Sequence, residues 1–161
     1  MPGTIPDLWP DEIKVEIASP LAILRRQASQ LRIWTKDLLE AEVKTYFENG
    51  EATHEFRIVA AALDGYAFSL FTASHSKDLV YPVTISYKPW DDAVEAKRGR
   101  FQLQGEEIPS GARTANTPSE FLDLLKDILN SGHAKSVIVS LMARINEPEF
   151  ESKVADQPPQ G

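Results

Sequence analysis

Two glycine-containing dipeptides, Asn49-Gly50 and Asp64-Gly65, separate three apolar runs and constrain this chain more than any other feature. Asn-Gly and Asp-Gly suit the two-residue type I′ turn, in which both central residues have positive φ. Runs of alternating or β-branched apolar residues on either side of such a turn are typical of strands. The pattern therefore predicts three consecutive antiparallel strands joined by two tight turns.

The first turn fixes a register that can be checked against charge. A two-residue loop sets Glu42 opposite Arg57 and Lys44 opposite Glu55. Both pairs have opposite signs, and opposite charges directly across an antiparallel pair are favourable. The same register predicts that three apolar pairs share the other face: Val43 with Phe56, Ala41 with Ile58, and Leu39 with Ala60.

A two-residue loop at the second turn predicts an apolar surface. It places five large side chains on one face, which we call the predicted apolar patch: Val59, Leu63, Tyr66, Phe68 and Leu70. The opposite face is rich in alanine and suits a closely packed helix. Because a large exposed apolar patch marks an interaction site, we expect it to be covered. The cover is either internal, by residues 134–146 or residues 100–105, or a partner, most simply a second copy across a two-fold axis, which we favour.

Helix signals flank these strands. Ser19 followed by Pro20 is a capping hydroxyl before a proline at the first helical position, and it predicts a helix over about residues 20–36. A second helix over residues 117–129 opens with the capping-box sequence Thr-Pro-Ser-Glu. Apolar residues at helical spacing predict a third helix over residues 134–146.

One further strand completes the predicted fold. Residues 80–88 alternate between apolar and polar side chains, and Pro82 within them predicts an edge strand because proline cannot donate to a ladder. The predicted class is α+β: an N-terminal helix, a four-stranded antiparallel meander sheet, and two C-terminal helices packed on the sheet. Phe101 and Leu103 suggest a short additional strand.

The domain organisation follows from these elements. Residues 1–18 form an N-terminal arm, in which the alternation over residues 13–17 is consistent with either a short edge strand or a docked extended arm. Residues 19–147 form a single α+β domain. Residues 148–161 are proline-rich, lack periodicity and are predicted to be disordered.

Composition narrows the function classes. The chain has 161 residues, a formal net charge of −7 and no cysteine, which excludes disulfides, thiolate nucleophiles and cysteine-bound metals. The acidic balance disfavours nucleic acid as a partner. No run is apolar enough for a membrane helix, and the first residues lack the basic start and apolar core of a secretory signal. We expect a bacterial protein of the cytoplasm, without membrane attachment.

Few residues suggest chemistry. Residues 89–117 are interpreted as a long loop with a possible polar site made of five charged residues: Asp91, Asp92, Arg98, Arg100 and Arg113. Paired carboxylates with arginines would suit a small hydrolase or a phosphate-processing enzyme. The basic segment at residues 95–100 would alternatively suit a regulator that contacts nucleic acid.

The three histidines, His54, His75 and His133, show no metal-ligand spacing and are interpreted as surface residues near loops. We expect no cofactor, no metal and no catalytic residue. The leading hypothesis is a non-catalytic, acidic protein-binding module of the adaptor, chaperone-like or immunity type, acting through an apolar sheet face. Its expected partner is another protein or a second copy of itself.

Overall fold

The computed structural model describes residues 3–101 and 111–147, without the side chains of residues 97–101. It confirms the α+β class, with five strands in an open antiparallel meander, ordered β1-β2-β3-β4-β5, rather than four. The elements in chain order are α1 (Pro20–Trp34), β1 (Glu40–Glu48), β2 (Glu51–Ala60), β3 (Tyr66–Ser76), β4 (Val83–Ser86), α2 (Lys88–Phe101), β5 (Arg113–Ala115), α3 (Pro118–Leu129) and α4 (Gly132–Ile145).

The first hairpin has the predicted register. Its two turn residues, Asn49 and Gly50, have φ angles of 49° and 79°, as the type I′ turn requires. The predicted charge pairing places Arg57 opposite Glu42, and the two side chains form an ion pair of 3.1 Å. The other confirmed opposite pairs are Val43 with Phe56, Lys44 with Glu55, and Ala41 with Ile58.

The second hairpin differs from the predicted two-residue turn. Asp64 and Gly65 have positive φ angles of 57° and 71°, but they follow a 3₁₀ turn over Ala61–Leu63. The connection is therefore longer, and Phe68 lies opposite Ile58 rather than Ala61. A shift by an odd number of residues moves every side chain to the other face, so this part of β3 faces the opposite way from the prediction.

Further along β3, a β-bulge returns the side chains to the faces of the sheet that were predicted for them. Phe71 lies opposite Phe56 and Ser69 opposite Arg57, so Leu70 is the extra residue between them. The rings of Phe56 and Phe71 stack with centroids 5.0 Å apart. Leu70 consequently points into the core, where it is buried.

The sheet has two unlike faces. Helices α1, α3 and α4 pack on one, the helix-covered face, where alternate residues of β2 are buried. The other, the open face, carries mainly polar side chains. Hydroxyl groups meet across its strands, with Thr53 and Ser74 3.0 Å apart and Thr84 and Thr114 3.2 Å apart.

The predicted helices α1, α3 and α4 are confirmed, and each begins at a hydroxyl cap. A cap oxygen accepts from a backbone N–H of the first turn and satisfies a donor that the helix itself leaves unpaired. The three pairs are Ser19 with Ala22 (3.1 Å), Thr117 with Glu120 (3.2 Å) and Ser131 with Ala134 (3.1 Å).

Two predictions about residues 80–117 are wrong. Strand β4 is not an edge, because β5 pairs with it and places Val83 opposite Ala115. The predicted loop instead contains helix α2 and strand β5. The suggested strand is contradicted at Phe101, the last residue of α2, whereas Leu103 lies outside the described residues.

The N-terminal arm forms neither a strand nor a helix over residues 3–18. Its last carbonyl, that of Ala18, accepts a hydrogen bond of 2.9 Å from the hydroxyl of Tyr81. The predicted disordered tail, residues 148–161, lies outside the described residues. Among the described residues, no helix has the length and apolar character that crossing a membrane requires.

Candidate binding groove

A groove of about 620 Å³ opens on the helix-covered face, between α1 on one side and α3 and α4 on the other. Its floor consists of Phe56, Ile58 and Leu70, which come from the neighbouring strands β2 and β3. These three residues are almost completely buried as part of the hydrophobic core. The floor of the groove is therefore part of the hydrophobic core itself, with almost no surface exposed to solvent.

The walls of the groove are apolar inside and mainly uncharged and polar outside. Leu31, Leu129 and Ile138 line it from three different helices, and Asp123 and Lys126 are the only charged residues among its described lining. The uncharged polar lining residues are Gln27, Gln30 and Asn130.

Two large apolar side chains extend the groove onto the protein surface. Trp34 on α1 and Leu122 on α3 line the groove from opposite sides, and 80% and 45% of their surfaces are exposed. We call this pair the rim residues. The apolar surface thus runs from the floor up both walls and outward, as in protein interfaces with an apolar centre and a polar surround.

Local sequence fixes the position of the Trp34 side of the groove. The next residue, Thr35, is buried, and its hydroxyl accepts from Leu39 N–H (3.0 Å) while lying 2.9 Å from the carbonyl oxygen of Leu31. Lys36 adopts a positive φ of 51° in the reversal that follows. The end of α1 is therefore tied directly to the chain entering β1.

The opposite side is fixed at the junction of α3 and α4. The hydroxyl of Tyr87 lies 2.7 Å from the hydroxyl of Ser131, which also caps α4. Phe121 anchors α3 in the core, with no exposed surface. Because Phe121 points inward, its neighbour Leu122 is turned toward the groove.

A cluster of polar side chains also lies on the helix-covered face, outside the groove lining. Nε2 of His54 is 2.8 Å from Nε2 of His75, and Nδ1 of His54 is 2.9 Å from the hydroxyl of Thr45. Nδ1 of His75 must donate, since it faces the carbonyl oxygens of Ser76 and Leu79. In the neutral pair, Thr45 donates to His54, which donates to His75.

The buried member of this pair is held neutral. The pKa of His54 is lowered to about 4, mainly by burial and also by the nearby His75 and Arg25, because a further positive charge would be repelled. The prediction that the histidines are surface residues is therefore wrong for His54, which is 3% exposed.

The predicted apolar patch is not one surface. Leu70 is buried, Phe68 and Leu63 pack against the core, and Tyr66 remains 44% exposed. Val59 lies on the open face and is half-buried. The longer second turn causes this difference, because it rotates Tyr66 and Phe68 to the helix-covered face. The interface role of these residues stays a prediction without a common surface to support it.

The predicted polar loop site is divided among separate contacts. Asp91 accepts from Gly111 N–H (2.8 Å), whereas Asp92 pairs with Lys88 one helical turn away (2.8 Å). Arg113 lies over the ring of Trp90, 4.2 Å from its centroid. The side chains of Arg98 and Arg100 lie outside the described part of the molecule.

The Asp91 and Arg113 contacts hold α2 against residues 111–113, whereas the Asp92 contact lies within α2. Within residues 3–96 and 111–147, no group of three or more histidine, aspartate or glutamate side chains is arranged to hold a metal ion.

Comparison with known proteins gives no matching family model, no similar curated protein and no similar solved structure. The groove is therefore interpreted from its own chemistry.

The sequence contains a partial signal for the groove. Phe121 and Leu122 are adjacent, so the apolar stripe of α3 is wider than one buried face requires. Trp34 similarly adds a large apolar side chain at the end of an amphipathic helix. What the sequence does not show is that these two positions lie on either side of one opening, because that depends on how the helices pack.

Proposed function

We propose that this protein is a non-catalytic binding module that takes an apolar helical segment of another protein into the groove between α1 and α3. The single observation that supports this proposal is the continuous apolar surface from the buried floor to the exposed rim residues Trp34 and Leu122. The proposal keeps the protein-binding hypothesis from the sequence. It replaces the predicted apolar patch on the second hairpin by the groove between the helices.

The shape and lining of the groove favour a helical segment. An amphipathic helix presents apolar side chains at i, i+3, i+4 and i+7, which enter a groove while its polar side stays in water. The apolar wall residues Leu31 and Leu129 can contact such anchors above the buried floor, and the amides of Gln27 and Gln30 can meet the polar margin. Aromatic residues such as Trp34 are frequent contributors to binding energy at interfaces.

A small apolar ligand is the second candidate, and the volume of the groove favours it. Small-molecule sites typically occupy roughly 300–1,000 Å³, and this groove has about 620 Å³. Such sites bury most of their ligand, however. The outward position of Trp34 and Leu122 fits a larger partner better, because these side chains would lie outside an enclosed ligand.

The first experiment uses a defined probe, a fluorescein-labelled helical peptide of about four turns with leucines at i, i+3, i+4 and i+7. We expect saturable binding by fluorescence anisotropy. Leu122→Glu is expected to weaken it at least about tenfold, since it places a charge on the apolar rim of the groove.

Ile33→Glu is the matched control. Ile33 is 68% exposed on the same helix as Trp34 but does not line the groove, so binding should be unchanged. Equal affinities for Leu122→Glu and wild type would contradict the proposal. Binding of the apolar dye 1-anilinonaphthalene-8-sulfonate in the groove without any peptide binding would instead identify a small-molecule site.

A further inference from the structure

The N-terminal arm carries an unusual amount of exposed apolar surface. Among its large apolar residues, Ile13 is 72% exposed, Val15 97% and Ile17 54%. They alternate with the charged residues Lys14 and Glu16, so an extended arm has one apolar and one charged side. Such a segment has the pattern of a half-buried strand, yet residues 3–18 form no strand ladder.

Strand β1 is a complementary feature at the edge of the sheet. It has nine residues, Glu40–Glu48, and pairs only with β2 among the described residues. Its free edge therefore presents a row of unpaired backbone groups, which readily accept an added strand. Ala41 and Val43 face the helix-covered side, and Glu42 and Lys44 face the open side.

Residues 13–17 cannot pair with this edge in their own molecule. Ala18 is held by Tyr81, two residues before β4, whereas β1 is three strands away. Three strand spacings amount to about 14 Å, and five extended residues span at most roughly 17 Å. Residues 13–17 would thus be used up in crossing the sheet and could not also lie along β1.

We propose that residues 13–17 of one copy pair as an added strand with the free edge of β1 in a second copy, giving a reciprocal arm-exchanged dimer. This self-association surface is separate from the groove and does not depend on its function. The alternation of the arm matches that of β1: Ile13, Val15 and Ile17 would extend the apolar, helix-covered side.

Charge supports this pairing in either strand direction. With Lys14 opposite Glu42, an antiparallel strand sets Glu12 opposite Lys44, and a parallel strand sets Glu16 opposite Lys44. Opposite charges across strands are favourable. The pair of Glu40 with an arm glutamate is of like charge, but Arg32 lies 3.9 Å from Glu40 and offsets part of the repulsion.

Site-directed crosslinking tests the contact, because the chain has no native cysteine. Lys14→Cys and Glu42→Cys are made in separate proteins of different mass, mixed, and oxidised. We expect a disulfide-linked heterodimer by non-reducing electrophoresis. Lys14→Cys mixed with Glu48→Cys is the control, since Glu48 lies about 20 Å further along the same strand. Failure of the first pair, or equal yields for both, would overturn the proposal.

The oligomeric state gives a second test that does not use cysteines. Light scattering should give about twice the chain mass of 17.9 kDa for wild type. Replacing Ile13, Val15 and Ile17 by lysine should return it to the monomer with an unchanged circular dichroism spectrum. The matched control replaces Ile5, Leu8 and Trp9, which are equally exposed arm residues outside the pairing segment, by lysine. A monomeric wild type, or identical masses for the two variants, would contradict the arm exchange.

Discussion

His54 makes the stability of this protein depend on pH. Its pKa is about 4 in the folded protein because it is buried beside His75 and Arg25, whereas an unfolded histidine titrates near pH ~6.5. Between these values the unfolded state binds more protons, so the free energy of unfolding falls as the pH falls. This contribution is fully present above pH ~6.5 and is lost progressively toward pH ~4.

We therefore predict that His54→Gln flattens the pH dependence of stability. Glutamine keeps polar contacts to Thr45 and His75 but does not titrate, and the removed contribution is roughly 2 kcal/mol between pH ~7 and ~5. Urea unfolding at both pH values measures it, with His133→Gln as the control that leaves His54 in place. An unchanged pH dependence in His54→Gln would mean that His54 is not held neutral by burial.

Gly111 is required by close packing. A Cβ atom at this position would lie 2.5 Å from the backbone carbonyl of Trp90 and 2.6 Å from the backbone nitrogen of Asp91. We predict that Gly111→Ala lowers the free energy of unfolding by about 1–3 kcal/mol, because backbone must move. Gly3→Ala is the control, since nothing lies within 4 Å of that position. Equal stabilities in chemical denaturation would refute the close approach of Gly111 to the backbone of α2.

At the scale of the elements, the first hairpin contains a cross-strand ion pair on the open face. Arg57 contacts Glu42 at 3.1 Å and Glu55 at 3.3 Å, and it is only 21% exposed. Such a partly exposed pair contributes modestly, because solvent screens the charges.

A double-mutant cycle measures this pair. We predict that Glu42→Ala and Arg57→Ala show a favourable coupling energy of ~0.2–1 kcal/mol in thermal or urea unfolding. The control cycle combines Arg57→Ala with Glu48→Ala, which lies at the far end of β1, and should give no coupling. A larger coupling in the control than in the test cycle would be inconsistent with the hairpin register.

The two hairpins show how far local sequence determines register. Asn49-Gly50 directly follows an alternating strand, so turn chemistry and strand pattern agree and the register was predictable. Before Asp64-Gly65 the sequence Ala-Ala-Leu can form either strand or turn. It forms a 3₁₀ turn, and Asp64 and Gly65 still adopt the positive φ angles they favour, but at the end of a longer loop.

For the helices and the candidate site as well, features set by local sequence were predicted and features set by long-range packing were not. Ser19 and Thr117 cap helices through contacts within one turn, which sequence patterns predict well. Helix α2 was missed because its start lacks a predicted cap and its apolar pattern is weak. The groove was missed because the distance between Trp34 and Leu122 depends on long-range packing over the floor.

On the scale of the whole molecule, the sheet separates two kinds of surface. The open face is lined by hydroxyl and charged side chains, and the helix-covered face contains the core, the groove and the buried histidine pair. The apolar groove therefore lies on the helix-covered face, with residues of β2 and β3 as its floor. The free edge of β1 is a third surface, and the arm is its proposed partner.

The most direct test of the groove is the indole N–H spectrum of the ¹⁵N-labelled protein. The chain contains three tryptophans, so each gives one separate signal. Only Trp34 lines the groove, whereas Trp9 is in the arm and Trp90 is under Arg113. On titration with the leucine-patterned helical peptide, we predict that the Trp34 signal shifts while those of Trp9 and Trp90 do not. An unmoved Trp34 signal with a shift at either of the others would contradict a binding site between α1 and α3.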